Sequence, residues 1–236
     1  MAQRGKNNLR KDYTERRPER LRRYDQLFLI VCEDEKTEPA YFQQFIDLLP
    51  ELPATTLFVR CIGTGLDPLG VINRTVEERD RLAEQADKEV DFVWAVFDKD
   101  DADANPARTQ RFTEALAKAE TERIDLAFSN EVFELWLLLH LREVDPEILL
   151  PRAEVYAQLQ AAVREAEASD FDYVHGQPEI IQKIAVLGHE EAAKQRAERL
   201  EAYHGDTPLL AANPSTRVHR LVVLLREWVV FYGWEG

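Results

Sequence analysis

Residues 27–42, LFLIVCEDEKTEPAYF, carry six apolar residues straight into the acids Glu33, Asp34, Glu35 and Glu38, interrupted only by Lys36 and Thr37. A short unbroken apolar run predicts a strand buried on both faces, and EPAYFQQFIDLL (38–49) predicts a helix after it. Pro39 falls in the first turn of that helix, where a missing N–H costs little. An acidic cluster at the exit of a buried strand is either a solvated turn or a site for cations, and the rest of the chain decides between them.

The same alternation continues along the sequence. Apolar runs at 26–33, 55–63, 91–98 and 124–130 predict four strands, and helical patterns at 38–49, 68–89, 106–120 and 131–141 alternate with them. Strands alternating with helices over short loops imply parallel βαβ units with right-handed crossovers, that is, a three-layer α/β sheet. From about residue 146 the strand signal gives way to helical patterns at 152–168, 178–204 and 215–233. With no internal repeat and no low-complexity linker, the predicted organisation is a basic arm (1–24), an α/β core (25–145) and a helical extension packed on the core (146–236).

Composition narrows the class. The chain has 236 residues, 45% hydrophobic and 31% charged, and no apolar run approaches the roughly 20 residues of a membrane span. Its start lacks the apolar stretch of a secretory signal, so a cytoplasmic protein without membrane contact is expected. Cys32 and Cys61 fall in different apolar runs and form no C-x-x-C pair, which predicts buried thiols in strands. The formal charge of −14 is uneven, because residues 1–23 hold nine basic side chains against three acidic ones, an arm of +6 on a body of −20. Arg16, Arg17, Arg20, Arg22 and Arg23 concentrate the arm's charge, which suits either a polyanion such as nucleic acid or a solvated tail.

In an open parallel sheet, ligands bind beyond the carboxyl ends of the strands, near a reversal of strand order. The first predicted strand stops on Glu33, the third on Asp98 of VFDKDD, and the fourth on Ser129 and Asn130. In extended chain, Asp98 and Asp100 would point to one side and Lys99 to the other. With Glu33 they make a candidate site for Mg²⁺ or Mn²⁺, which prefer carboxylate oxygens. Glu134 lies in a segment apolar on nearly every side, so it needs a helix N-terminus, a basic side chain or a metal as its partner. His140, on the same segment, reads as a packing histidine. GTGLDPLG (63–70) lacks the spacing of a nucleotide-binding loop and reads as a turn. Asn213, Pro214 and Ser215 read as helix-capping chemistry.

The order strand-Glu then strand-D-x-D resembles the Toprim domain of topoisomerases, primases and related nucleases. More narrowly, IVCEDEKTEPAYFQQF, SNEVFELWLLLHL and NPSTRVHRLV resemble the three signature blocks of the RloB family, proteins encoded beside restriction loci and linked to phage defence. The resemblance spans about residues 27–225. It departs at Asp34, where the family usually has Gly, and Asp34 is tolerable there in a left-handed turn. The resemblance implies a Toprim-like fold and a Mg²⁺- or Mn²⁺-dependent nuclease. Glu33 would be the general base or first metal ligand, Asp98 and Asp100 metal ligands, and Glu38 and Glu134 ligands of a second ion about 4 Å away. It further implies a partner ATPase of the ABC/SMC-like type, with a homodimer left open. RNA, including transfer RNA, and DNA remain alternative substrates. Two rivals are a receiver-like or other non-catalytic metal-binding module, for which Ser129 would fit and a Lys ending a fifth strand would be required, and an effector subunit that is inert without its partner.

Overall fold

The computed structural model describes residues 25–49 and 57–233. Its strands are β1 (Gln26–Cys32), β2 (Leu57–Gly63), β3 (Phe92–Asp98), β4 (Asp125–Asn130) and the two-residue β5 (Ser215–Thr216), arranged β2-β1-β3-β4-β5. The first four are parallel, and β5 runs antiparallel to β4. Among the described residues eight helices flank the sheet: α1 (Thr37–Leu48), α2 (Pro68–Ala86), α3 (Pro106–Thr121), α4 (Glu134–Leu141), α5 (Arg152–Glu167), α6 (Glu179–Leu187), α7 (Glu190–His204) and α8 (Val218–Gly233). This is an α/β fold of the Toprim-like kind.

β1 explains its own sequence. Residues alternate between the two faces of a strand, and in β1 both faces are buried. Leu27, Leu29 and Val31 enter one core with Ile72 and Leu82 of α2 and Phe112 of α3. Phe28, Ile30 and Cys32 enter the other with Phe42 of α1, Trp136 of α4 and Leu221 of α8. A strand between two cores has no polar alternation to show, which is why LFLIVC is unbroken. The second core also takes Val155 and Leu159 of α5, Ile184 of α6 and Leu200 of α7, so the C-terminal helices share apolar volume with the sheet.

Local chemistry sets the helix ends. Asp67 and Asn105 accept the N–H groups of Gly70 (2.9 Å) and Arg108 (3.0 Å), with Pro68 and Pro106 following each cap. β1 leads to β2 on one side, and β3 and β4 continue on the other, so the direction of winding reverses between β1 and β3.

Three expectations require correction. The helix predicted over 178–204 is two helices, because Gly188 ends α6. A Cβ there would stand 2.6 Å from the Ile184 carbonyl oxygen and 3.0 Å from the His140 ring. The predicted helix 215–233 begins only at Val218, since Ser215 and Thr216 pair with Asn130 and Ser129. The segment 131–141 becomes helical at Glu134. Cys32 is buried, Cys61 is half-buried, and their sulfurs lie 3.9 Å apart as free thiols. No helix among the described residues is long and apolar enough to cross a membrane. Arg16, Arg17, Arg20, Arg22 and Arg23 lie outside the described residues.

Candidate functional site

β1 delivers Glu33 to the reversal point. Its N–H bonds the Val96 carbonyl of β3 (2.9 Å), and its Oε2 accepts the Asp98 N–H (2.9 Å). Burial pushes the Glu33 carboxyl up to about 8, against the lowering effect of the Asp98 N–H and with the charges of Asp100, Asp67 and Asp34 adding to the rise.

The next turn is made by the acids themselves. Asp34 Oδ2 accepts the Thr37 N–H (2.6 Å) at the start of α1, and the Asp34 N–H donates to Glu38 Oε2 (3.1 Å). Burial would raise the Asp34 carboxyl, but the N–H groups of Thr37, Lys36 and Glu35 outweigh it and hold it low. Asp34 has no positive φ, so the left-handed turn expected at this position does not form; the Asp34 side chain instead bonds the first residue of α1. Behind this turn sits the loop after β2. Thr64 Oγ1 donates to the Cys32 carbonyl (2.8 Å) and the Gly65 N–H to the Glu33 carbonyl (2.7 Å). A Cβ on Gly63 would lie 2.5 Å from the Asp34 carbonyl oxygen, so only glycine allows the approach. Of the segment 63–70, only 64–67 is a loop, between the end of β2 and the start of α2, and it buttresses the acidic turn.

Asp98 ends β3 half-buried at the cleft. Its Oδ2 accepts the Phe133 N–H (2.8 Å), whereas its Oδ1 is buried with no hydrogen-bond partner. Burial, then the charges of Glu38, Glu33, Asp100 and Glu134, push its carboxyl well up. Glu38, only 2% exposed, is raised by burial and then by Glu33. Asp100 joins the group differently from the expected strand alternation. The chain turns left-handed there (φ 46), and Asp100 Oδ1 pairs with Arg152 Nη2 at 2.8 Å. Lys99 points away from the cluster, to Asp103 (2.9 Å) and Glu131 (3.2 Å). Glu134, 2% exposed in the first turn of α4, is bonded through Oε1 by the Tyr173 hydroxyl and by His175 Nδ1 (3.1 Å). The Glu134 bond raises the His175 imidazole above its ordinary value.

These groups open into a cleft of about 670 Å³. Glu33, Glu38, Asp98 and Asp100 line it, and Arg108, Arg111 and Arg152 stand with them. Asp67, at the cap of α2, holds Arg111 through two bonds (2.7 and 3.0 Å). Among the described residues no three carboxylates, histidines or thiols are already gathered around one point as a closed coordination shell. The donor chemistry nevertheless suits a hard cation, because the set is all carboxylate and one buried oxygen, Asp98 Oδ1, has no partner.

The other strand-end residues take structural places. Ser129 is buried and bonded to the Thr216 hydroxyl (3.1 Å), and β5 carries no lysine, so the receiver-like arrangement is not present. Asn213 caps no helix; its Nδ2 donates to Asn130 Oδ1 (2.9 Å) and its Oδ1 accepts the Leu150 N–H (2.6 Å). His140 packs against Trp136, with ring centroids 4.9 Å apart. Sequence reasoning passed over Arg108, Arg111, Arg152, Tyr156, Tyr173 and His175. Only the four-residue spacing of Arg152 and Tyr156 on a predicted helix carried a signal, since FDYVHG has no period.

The family model described as RloB-like protein matches residues 28–225. No curated protein and no solved structure matches the chain.

Proposed function

The chain belongs to the RloB family, and from that premise we propose that the cleft beyond β1 and β3 is a Mg²⁺- or Mn²⁺-dependent nuclease site that hydrolyses phosphodiesters. One observation carries the reading. Glu33 and Glu38 from the turn after β1, Asp98 from the end of β3 and Glu134 from the start of α4 come from three places in the chain into one mutually repelling, largely buried neighbourhood, and Asp98 Oδ1 has no partner there. Fold stability alone gains nothing from such an arrangement, since burying like charges is costly unless protons or cations neutralise them.

Asp98, Asp100, Glu38 and Glu134 are the residues that would hold the ions. Divalent ions bound there would supply Lewis-acid polarisation of the phosphoryl oxygen and a water of lowered pKa. Glu33, whose Oε2 accepts the Asp98 N–H, would accept a proton from the attacking water. Arg108, Arg111 and Arg152 supply the cationic side of the cleft for the phosphate. Arg152 now pairs with Asp100, so phosphate and Asp100 compete for one guanidinium.

The family resemblance extends the proposal to a cytoplasmic effector of anti-phage defence controlled by an ABC/SMC-like ATPase. The test is incubation of the chain with tRNA, mRNA, single-stranded DNA and duplex DNA in Mg²⁺ or Mn²⁺, with and without that ATPase, beside Glu33→Gln. Cleavage by the wild type that Glu33→Gln lacks supports the nuclease. Ion binding without cleavage in any arm makes the chain a non-catalytic regulatory subunit.

A further inference from the structure

Beside the acids lies an aromatic surface that hydrolysis of a phosphodiester does not need. His175 stacks on Tyr156 with ring centroids 5.6 Å apart and planes at 27°, and Tyr156 in turn packs on Tyr173 at 5.2 Å. The imidazole edge is fixed, with Nδ1 3.1 Å from Glu134 Oε1 and 3.2 Å from the Tyr156 hydroxyl. Yet the His175 side chain keeps 61% of its surface exposed. Tyr156 lies beside the ring in an offset, near-parallel arrangement, the Nδ1 edge is held, and the ring borders the cleft. An aromatic ring pinned in this way at the mouth of a cleft has already met the ordering cost that binding would otherwise impose.

The surroundings fit one kind of occupant. Arg152 and Tyr156 are four residues apart on α5, so they share a helix face about 5–6 Å apart at their Cβ atoms. That face therefore presents a guanidinium, then a phenol, then the stacked imidazole. A phosphate and the base attached to the same nucleotide need this sequence of groups. The cleft, about 670 Å³, is the size of a small-molecule site and has room for a single splayed nucleotide.

We propose that His175, backed by Tyr156, is a stacking platform for one unpaired base, and that the cleft accepts single-stranded nucleic acid with the adjoining phosphate on Arg152. The platform rests on the nuclease reading for its location but not for its test. Base–aromatic stacking is the sequence-tolerant element of single-strand recognition, and histidine is among the residues used for it. Duplex offers no free base face at the required position.

The experiment measures equilibrium binding of the full chain, without divalent ions, to short single-stranded RNA and DNA carrying 2-aminopurine, and to the same sequences as duplexes. Two variants separate the ring from its hydrogen bond: His175→Gln keeps a donor for Glu134 without the ring, and His175→Trp keeps a ring and an N–H. The wild type should bind single strands more tightly than duplex and quench the fluorescence of one base. His175→Gln should weaken single-strand binding roughly 5- to 150-fold while leaving duplex binding unchanged, and His175→Trp should retain it. Whichever sugar binds identifies the nucleic acid. Equal single-strand affinity for wild type and His175→Gln, with unchanged melting temperatures, overturns the platform even if the chain cuts. The full pattern without cleavage in Mg²⁺ or Mn²⁺ leaves the platform standing and overturns the nuclease.

Discussion

The Glu33 carboxylate accepts the backbone N–H of Asp98 at 2.9 Å, which ties the acid leaving β1 to the acid ending β3 across the point where the sheet reverses its winding. The bond is too weak to keep Glu33 ionised in its buried setting, and its carboxyl is pushed up to about 8 from 4.5. Between those values the folded chain holds a proton that the unfolded chain has released. Stability of the ion-free protein is therefore fully present below the lower value and falls as pH rises through the upper one. Glu33→Gln should flatten that fall in melting curves recorded in EDTA from about pH 5 to about pH 9. Asp98 and Glu38, raised in the same direction, leave a residual slope. A wild-type profile that rises over this window would show that Glu33 is ionised throughout.

Asp98→Asn should abolish the stabilisation that Mn²⁺ gives the wild type, because ions binding only the folded state stabilise it by mass action. The ion-free variant should itself melt no lower than the wild type, since one charge leaves a repelling cluster while an amide oxygen still accepts the Phe133 N–H. Equal Mn²⁺ shifts in both proteins would place the ions elsewhere. Glu33→Gln should differ from it by losing cleavage more completely than ion binding, and a Glu33→Gln protein that cuts as the wild type does would remove Glu33 from the chemistry.

How far the site could be read in advance follows from what each residue contacts. Glu33 and Asp98 stand where apolar runs stop, so strand periodicity alone puts them at one sheet edge. Asp100 reaches the same cleft through a left-handed turn, which a D-x-D spacing does not encode. Tyr173 and His175 come from an aperiodic segment that packs against α4 and α5 only through the fold, and no local pattern links them to Glu134, about forty residues earlier. Likewise β5 is two residues long and owes its strand character to β4. The segment 178–204 reads as one helix because an apolar run, EIIQKIAVL, passes directly into an alanine-rich, charged one, EEAAKQRAERLEAYH, with only Gly188 and His189 between them, and the close approach of His140 to Gly188 is made by the fold.

His140 gives a pH response of the opposite sign. Burial, then the charges of Arg196, Arg226 and His189, lower its imidazole from 6.5 to about 3. The unfolded chain takes up a proton below 6.5 that the folded chain refuses, so this contribution is present above 6.5 and is lost as pH falls toward 3. His140→Gln should make the acid limb of the melting profile shallower, whatever it does to the melting temperature at neutral pH. An unchanged acid limb would mean that His140 protonates in the folded state.

Asn213 joins β4 to the entrance of α5 by bonding both Asn130 and Leu150. Asn213→Ala leaves those buried groups unpaired at about 1–3 kcal/mol each. Because Glu131 beside Asn130 accepts the Arg152 N–H (2.9 Å), the same change should loosen Arg152 and weaken binding of single-stranded oligonucleotide. Denaturant unfolding and a binding titration check the two halves, and a loss of stability under about 0.5 kcal/mol would show that the bonds are replaced by water.

Residues 1–23 carry nine cationic side chains on a chain whose formal charge is −14. Phosphates contacted by these side chains would release condensed counterions, and log affinity would then fall with log salt by about 0.7–0.9 for each contact. Deleting residues 1–23 should weaken binding and flatten the salt dependence while hydrolysis of saturating substrate stays nearly unchanged, because the acids sit at the ends of β1 and β3. An arm that docks on an acidic surface of the ATPase behaves otherwise: the truncated chain would keep the full salt slope but fail to co-purify with that protein. Salt titration and co-purification on one preparation decide between them. An unaltered slope together with intact co-purification would assign the arm to neither partner.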